Sequence, residues 1–162
     1  MKVTPAGAAI AQLLICGLWL GACAMFAIVV APAAFAVLPS RTLAGDLVGR
    51  VLPMVFRSGI AVCAAVALLG VRTDAASRWK PRVLAAAMGG GAATLALLVV
   101  GRSIDDLRDR IHGPIEALAA TDPLRVAFGQ LHALSVVLLA VTMACVLAVL
   151  VIAGRDLSRR SS

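Results

Sequence analysis

The sequence has no tyrosine, four phenylalanines, two tryptophans and two histidines in 162 residues. An aromatic share of 4% leaves no stacking platform for nucleic-acid bases. Charge is scarce too: 14% of residues are charged, against about 25% in an ordinary soluble domain. No Ser/His/Asp triad, HExxH motif or phosphate-cradling glycine loop is present, so nothing argues for an enzyme. His112 falls in a connection and only His132 remains, so two axial haem ligands cannot be assembled and no cofactor is expected. The cysteines (Cys16, Cys23, Cys63 and Cys145) show no CxxC or CxxxC spacing. Cys16 and Cys23 share a helix face about 10 Å apart along the axis, beyond disulfide reach.

Apolar residues are plentiful. They make up 62% of the chain, mean hydropathy is +1.01, and soluble domains hold about 45–50%. A water-soluble core of this size could not hide that much apolar surface, so the solvent must be largely lipid. The net charge of +7 comes from basic residues placed between apolar runs, where headgroup contacts account for them. A nucleic-acid partner is therefore rejected, and the lipid bilayer is the expected partner.

Four apolar runs, at about 8–37, 52–71, 82–101 and 124–153, each match or exceed the roughly 20 residues that span a bilayer. The expected fold is all-α: an integral membrane bundle of four transmembrane helices forming one domain over residues 1–162. Lys2 and the following apolar stretch resemble a signal peptide, and Leu20-Gly21-Ala22-Cys23 resembles a lipoprotein cleavage box. The sequence stays apolar from Ala24 to Val30, however, so cleavage is not expected. Pro32 is a natural kink point, and Leu38-Pro39 ends the first helix.

Two connections read as amphipathic helical extensions on one side of the bundle, at 40–52 and 102–112. In the first, Ser40 is the N-cap, Pro53 the break, and Asp46 and Arg50 stand in favourable order for a pair. In the second, Ile104, Leu107 and Ile111 keep an apolar stripe while Asp105, Asp106, Arg108, Asp109 and Arg110 face water. Gly113-Pro114 stops it, and Asp122-Pro123 caps the fourth helix. Lys2, Arg72, Arg78, Lys80, Arg82, Arg155, Arg159 and Arg160 fall on one side, against seven basic residues on the other. That balance and the short 2–3 loop place both termini in the cytoplasm, with Trp79 as an interfacial anchor.

The spacing Gly21-x4-Phe26-x4-Ala31-Pro32-x2-Phe35-x2-Leu38-Pro39-x-Arg41-x2-Ala44-Gly45 resembles the first hairpin of the transmembrane-protein-205-like family. Asp122-Pro123-x-Arg125-x2-Phe128-Gly129-x-Leu131-His132-x2-Ser135 is similar to the start of that family's last helix. The resemblance covers nearly the whole chain. It implies a compact four-helix membrane protein, here of the bacterial inner membrane, and no particular reaction. The bacterial branch is known only as a domain of unknown function.

Two constellations could carry chemistry. From Ser58 to Val71 there are only 14 uncharged residues, about 21 Å of helix, so the second span must include Arg57. Arg102 marks the same end of the third span and His132 the same level of the fourth. Arg125, Phe128, Gly129, His132 and Ser135 share a helix face. Arg57, Arg102, Arg125 and His132 could thus cluster with Asp46, Asp106 and Asp122. One reading is a binding mouth for a small or anionic ligand, with His132 able to change charge near neutral pH. The plainer reading is a network that locks the helix ends together.

The second constellation is sulfur: Cys16, Cys23, Cys63 and Cys145, with Met25, Met54, Met88 and Met143, could form a soft-metal path. Cys and Met are also ordinary apolar filler, and no confident metal site follows. Gly89-Gly90-Gly91 and Gly17-x3-Gly21 read as close helix packing. Function narrows to two classes. One assists transport of, or resistance to, a small or soft-metal solute, and needs a wet cavity at the Arg57/Arg102/His132 level. The other is a scaffold that docks a second copy or a membrane partner protein, and needs a dry bundle with a small-residue stripe.

Overall fold

The computed structural model describes residues 4–73, 79–111 and 113–161. The 74–78 loop, the side chains of Arg72 and Trp79, and His112 lie outside the described residues, so the expectations placed on them stay expectations. Four helices are long and apolar enough to cross a membrane. They are α1 (Pro5–Val37), α2 (Arg41–Thr73), α3 (residues 79–110) and α4 (Pro123–Ser161), and no strand occurs among the described residues. Each helix packs mainly on its sequence neighbours and α4 closes the ring on α1. The termini and the 2–3 loop thus share one end, here the terminal end, and the other two connections share the mouth end.

The helix ends follow local chemistry. Thr4 Oγ1 accepts from Gly7 N at 3.2 Å ahead of Pro5, and Ser40 Oγ accepts from Leu43 N at 3.2 Å. Asp122 Oδ1 accepts from Leu124 N at 2.8 Å, with Pro123 in the first turn. Such caps satisfy backbone donors that a helix start would otherwise leave open. α3 ends at Arg110, and Gly113 then takes a φ of +130°, a conformation open mainly to glycine.

Pro32 bends α1 in a specific way. A π-helical turn, Phe26–Val30, precedes it, and Ala31 N bonds back to Phe26 O. The wider turn makes room for a proline ring and its missing donor. A second π turn, Ala96–Val100, interrupts α3 and has no proline to explain it.

Pro53 does not break α2, contrary to the sequence expectation: the helix runs straight through it. An internal proline costs roughly 3 kcal/mol. Burial on both sides opposes that cost, with Ala44 and Phe56 both enclosed in the bundle.

The exterior is apolar. Leu18, Ile28, Val37 and Met54 are among many large apolar side chains left exposed, as a lipid-facing surface requires. The interior is built from small residues with a few polar groups. A carbon at the Cβ position of Gly89 would lie 3.0 Å from Cys145 Cβ and 3.3 Å from Cys63 Sγ, and at Gly59 it would lie 2.8 Å from the Trp19 ring. Gly89 therefore packs α3 against two neighbours, as its spacing suggests. Gly21 does not act this way, since nothing lies within 4 Å of its Cβ position.

Candidate functional site

Three helical stripes converge at the mouth end around a cavity of about 810 Å³. That is the size of a small-molecule pocket. On α2 the lining residues include Gly45, Asp46, Gly49, Leu52, Phe56 and Arg57, repeating every three or four positions. On α3 they include Leu97, Gly101, Arg102, Asp105 and Arg108, and on α4 Arg125, Phe128, His132 and Ser135. The turn Ala96–Val100 supplies Ala96, Leu97 and Leu98 to the deep part of the wall. From α1 only Phe35 reaches the lining.

Of the residues singled out in the sequence, Arg57, Arg102, Arg125, His132 and Asp46 border this one cavity. Asp122 does not: its carboxylate is spent on capping α4. Asp106 is exposed and off the cavity, whereas Asp105 borders it. The charge is one-sided, with five arginines (41, 57, 102, 108, 125) against two aspartates (46, 105) among the lining residues.

Arg108 is the main correction. The sequence places it in water, but it turns inward and joins three helices. Its Nη1 lies 3.4 Å from Asp46 Oδ1, its Nη2 approaches Gly45 O at 3.5 Å, and its guanidinium carbon stands 5.7 Å from the Phe128 ring centre. A carbon at the Gly49 Cβ position would sit 3.2 Å from both terminal nitrogens, so the glycine makes the space. The expected Asp46–Arg50 pair is thus replaced by Asp46–Arg108. The Phe128 and His132 rings stack in turn at 6.5 Å. Arg125 donates to Leu118 O at 2.8 Å and ties the 3–4 connection to α4. The α3 spacing 97, 101, 104, 108 carries the signal for Arg108.

The terminal end is closed by a network that the sequence reading misses. Arg82, counted there as a loop residue, is 3% exposed and pairs with Asp156 of α4. Its Nη1 also donates to Gln12 Oε1 of α1 at 3.3 Å, and Gln12 Nε2 donates to Val66 O of α2 at 3.1 Å. One polar chain thereby links all four helices. The only sequence hint is Asp156 itself, a lone acid beside Arg155, Arg159 and Arg160.

The thiols lie within the bundle, whereas Met25, Met54 and Met88 are exposed on its surface. Cys16, Cys23 and Cys63 are buried, Cys145 is half-buried, and all four are free thiols. Among the described residues no group of three or more His, Cys, Asp or Glu side chains is arranged to hold a metal ion.

Four membrane-spanning helices around a cationic, solute-sized cavity define the class: a polytopic α-helical membrane protein with a pocket at one end. The chain belongs to the family described as a domain of unknown function, DUF4149, whose model matches residues 14–112. The match ends before α4, which supplies His132 and Ser135. No curated protein and no solved structure matches the chain.

Proposed function

We propose that this protein binds a small anionic solute in the mouth-end cavity and so assists its transport or resistance to it. The observation that carries the reading is the excess of five arginines over two aspartates around one 810 Å³ cavity. Arginines at membrane depth turn toward a cavity or a partner, and their planar forks suit phosphate and carboxylate. Arg57 and Arg102 make no ion pair among the described residues, which leaves their charge for a ligand. The reading includes both termini on the cytoplasmic side of a bacterial inner membrane, with the cavity facing outward. The resemblance to the transmembrane-protein-205-like family belongs to the same proposal.

A soft-metal solute is the weaker version, because no cysteine or methionine is among the described residues that line the cavity. The double variant Arg57→Gln/Arg102→Gln tests the anion reading. Affinity of the purified chain for an anionic probe, glycerol 3-phosphate or lysophosphatidate, should fall at least tenfold, about 1.4 kcal/mol. Unchanged affinity for both probes in a folded variant overturns it.

Scaffolding is the second reading, and one observation favours it. A shallow apolar groove of about 380 Å³ between α3 and α4 is lined by small residues such as Ala85, Ala144 and Ala148. Small residues let a further helix approach closely. Ala144→Leu should then abolish cross-linking between copies in membranes, while a monomer at all concentrations removes this reading.

A further inference from the structure

We infer that the ligand of the mouth-end cavity is a compact organic anion that binds head-first. Its phosphate or carboxylate sits deep, among Arg57, His132 and Arg102, and its apolar body points toward the mouth. This rests on the anion-binding reading above and adds the substrate class and its orientation to it.

Contacts between the helices fix the levels. A carbon at the Gly90 Cβ position would lie 3.4 Å from Cys63 Cβ. Arg108, eighteen residues further along α3, meets Gly45, eighteen residues back along α2. Arg57 is therefore rooted level with Ala96. Thr142 Oγ1 donates to Gly89 O at 3.3 Å, which sets Ser135 of α4 at that same level. His132 follows about 4.5 Å nearer the mouth, and Arg102 lies six residues, about 9 Å, nearer the mouth than Ala96. Between Arg82 and Arg102 there are 19 uncharged residues, about 28 Å, which is close to a hydrocarbon core. Arg57 is thus rooted inside that core.

The charges are layered by depth. The acidic lining residues stand near the mouth: Asp46 is eleven residues, about 16 Å, along α2 from Arg57, and Asp105 nine residues, about 13 Å, along α3 from Ala96. Arg57 and Arg102 are exposed and make no ion pair among the described residues. α2 and α3 each bring one such arginine to the deep half, and α4 brings His132, whose ring donates a hydrogen bond in either tautomer. A charge at membrane depth calls for a counter-charge or water, and the acids of the lining are too far from Arg57 to serve. The deep end is closed by core. Trp19 Nε1 donates to Ser58 Oγ at 3.0 Å, and Trp19 and Cys23 pack with Phe56 and Ala96.

An apolar band lies above this anion subsite. Val48 and Leu52 of α2, Ile104 of α3 and Phe128 of α4 line the cavity five to nine residues, about 8–13 Å, mouthward of the Arg57 level. Each is only half-buried. The Phe128 ring is held between the His132 ring at 6.5 Å and the Arg108 guanidinium at 5.7 Å. A small inorganic ion leaves this band in water and most of the 810 Å³ unfilled. An organic body attached to the anion buries apolar area against it. A long acyl chain would run past the band into water at the mouth, so the body is compact.

The test uses the full chain in nanodiscs of phosphatidylcholine and four probes: phenyl phosphate, 4-phenylphenyl phosphate, glycerol 3-phosphate and benzyl alcohol. Binding is read as the ligand-dependent rise in unfolding temperature. Phenyl phosphate should bind at least tenfold more tightly than glycerol 3-phosphate or benzyl alcohol, and Arg57→Gln should remove that advantage. The second ring of 4-phenylphenyl phosphate lies in the open mouth and should change affinity less than about threefold. A tenfold loss with that probe means that the body points to the closed end, and overturns the orientation. Glycerol 3-phosphate binding as tightly as phenyl phosphate overturns the organic class and keeps the anion site. Benzyl alcohol binding as tightly as phenyl phosphate, or no binding by any of the phosphates, overturns both readings. The probe series on the unaltered chain decides the matter without reliance on the variant's folding.

Discussion

Arg82 and Arg108 carry the same side chain in opposite circumstances, and their expected mutational costs differ accordingly. Arg82 is 3% exposed, paired with Asp156 and hydrogen-bonded to Gln12. Asp156→Ala strips a buried guanidinium of its counter-charge, a change that typically costs about 3–5 kcal/mol. Its thermal unfolding in detergent should therefore be much earlier than that of the unaltered chain. Arg82→Met/Asp156→Leu removes both charges together and should recover most of the loss. Asp46→Asn is expected to cost less than about 1 kcal/mol, because Asp46 is 51% and Arg108 32% exposed and solvent screens the pair. A large loss of stability in Asp46→Asn would show that the mouth-end cluster locks the helices.

Within α3, Gly89 and Gly91 are two residues apart and face different surroundings. Gly89 is wedged between α2 and α4, and nothing lies within 4 Å of the Gly91 Cβ position. Gly89→Ala should destabilise the bundle by about 1–3 kcal/mol through overpacking. Gly91→Ala should leave the unfolding temperature unchanged or raised, since alanine favours a helix over glycine by roughly 1 kcal/mol. Equal effects at both positions would mean that helix propensity, and not the α2–α3–α4 contact, sets the cost. The π turns Phe26–Val30 and Ala96–Val100 belong to the same scale. The first answers to Pro32. The second turns Ala96 and Leu97 to the cavity floor, and no local residue announces it.

The whole bundle is asymmetric: a polar chain cross-links the helices at the terminal end, and a cavity separates them at the mouth end. Water or solute can therefore enter from the mouth end in this conformation. Leu97→Cys and His132→Cys line the cavity and should react with a membrane-impermeant thiol reagent added from the mouth side. The native Cys16, Cys23 and Cys63 are buried and should stay unlabelled from that side. Labelling in intact cells would place the mouth outside and the termini in the cytoplasm. No labelling of either engineered thiol would mean a dry mouth and would favour the scaffold.

Much of this was legible in the residues. Composition and run length determine a four-helix membrane bundle, because so much apolar surface can be satisfied only by lipid and only helices close their own hydrogen bonds there. Ser40, Asp122 and Gly113-Pro114 mark helix ends, since caps and turns are local chemistry. The face shared by Arg125, Phe128, His132 and Ser135 also follows from the helical period. Pairing across helices does not follow from it. Arg108 reads as a water-facing charge until α2 places Asp46 and Gly49 beside it, and Arg82 reads as a loop residue until Asp156, 74 positions away, meets it. Pro53 stays helical because burial outweighs a local penalty. One-dimensional spacing fixes which side chains share a helix face, but only the packed bundle decides which faces meet, and so which charges are paired and which are left open to a ligand.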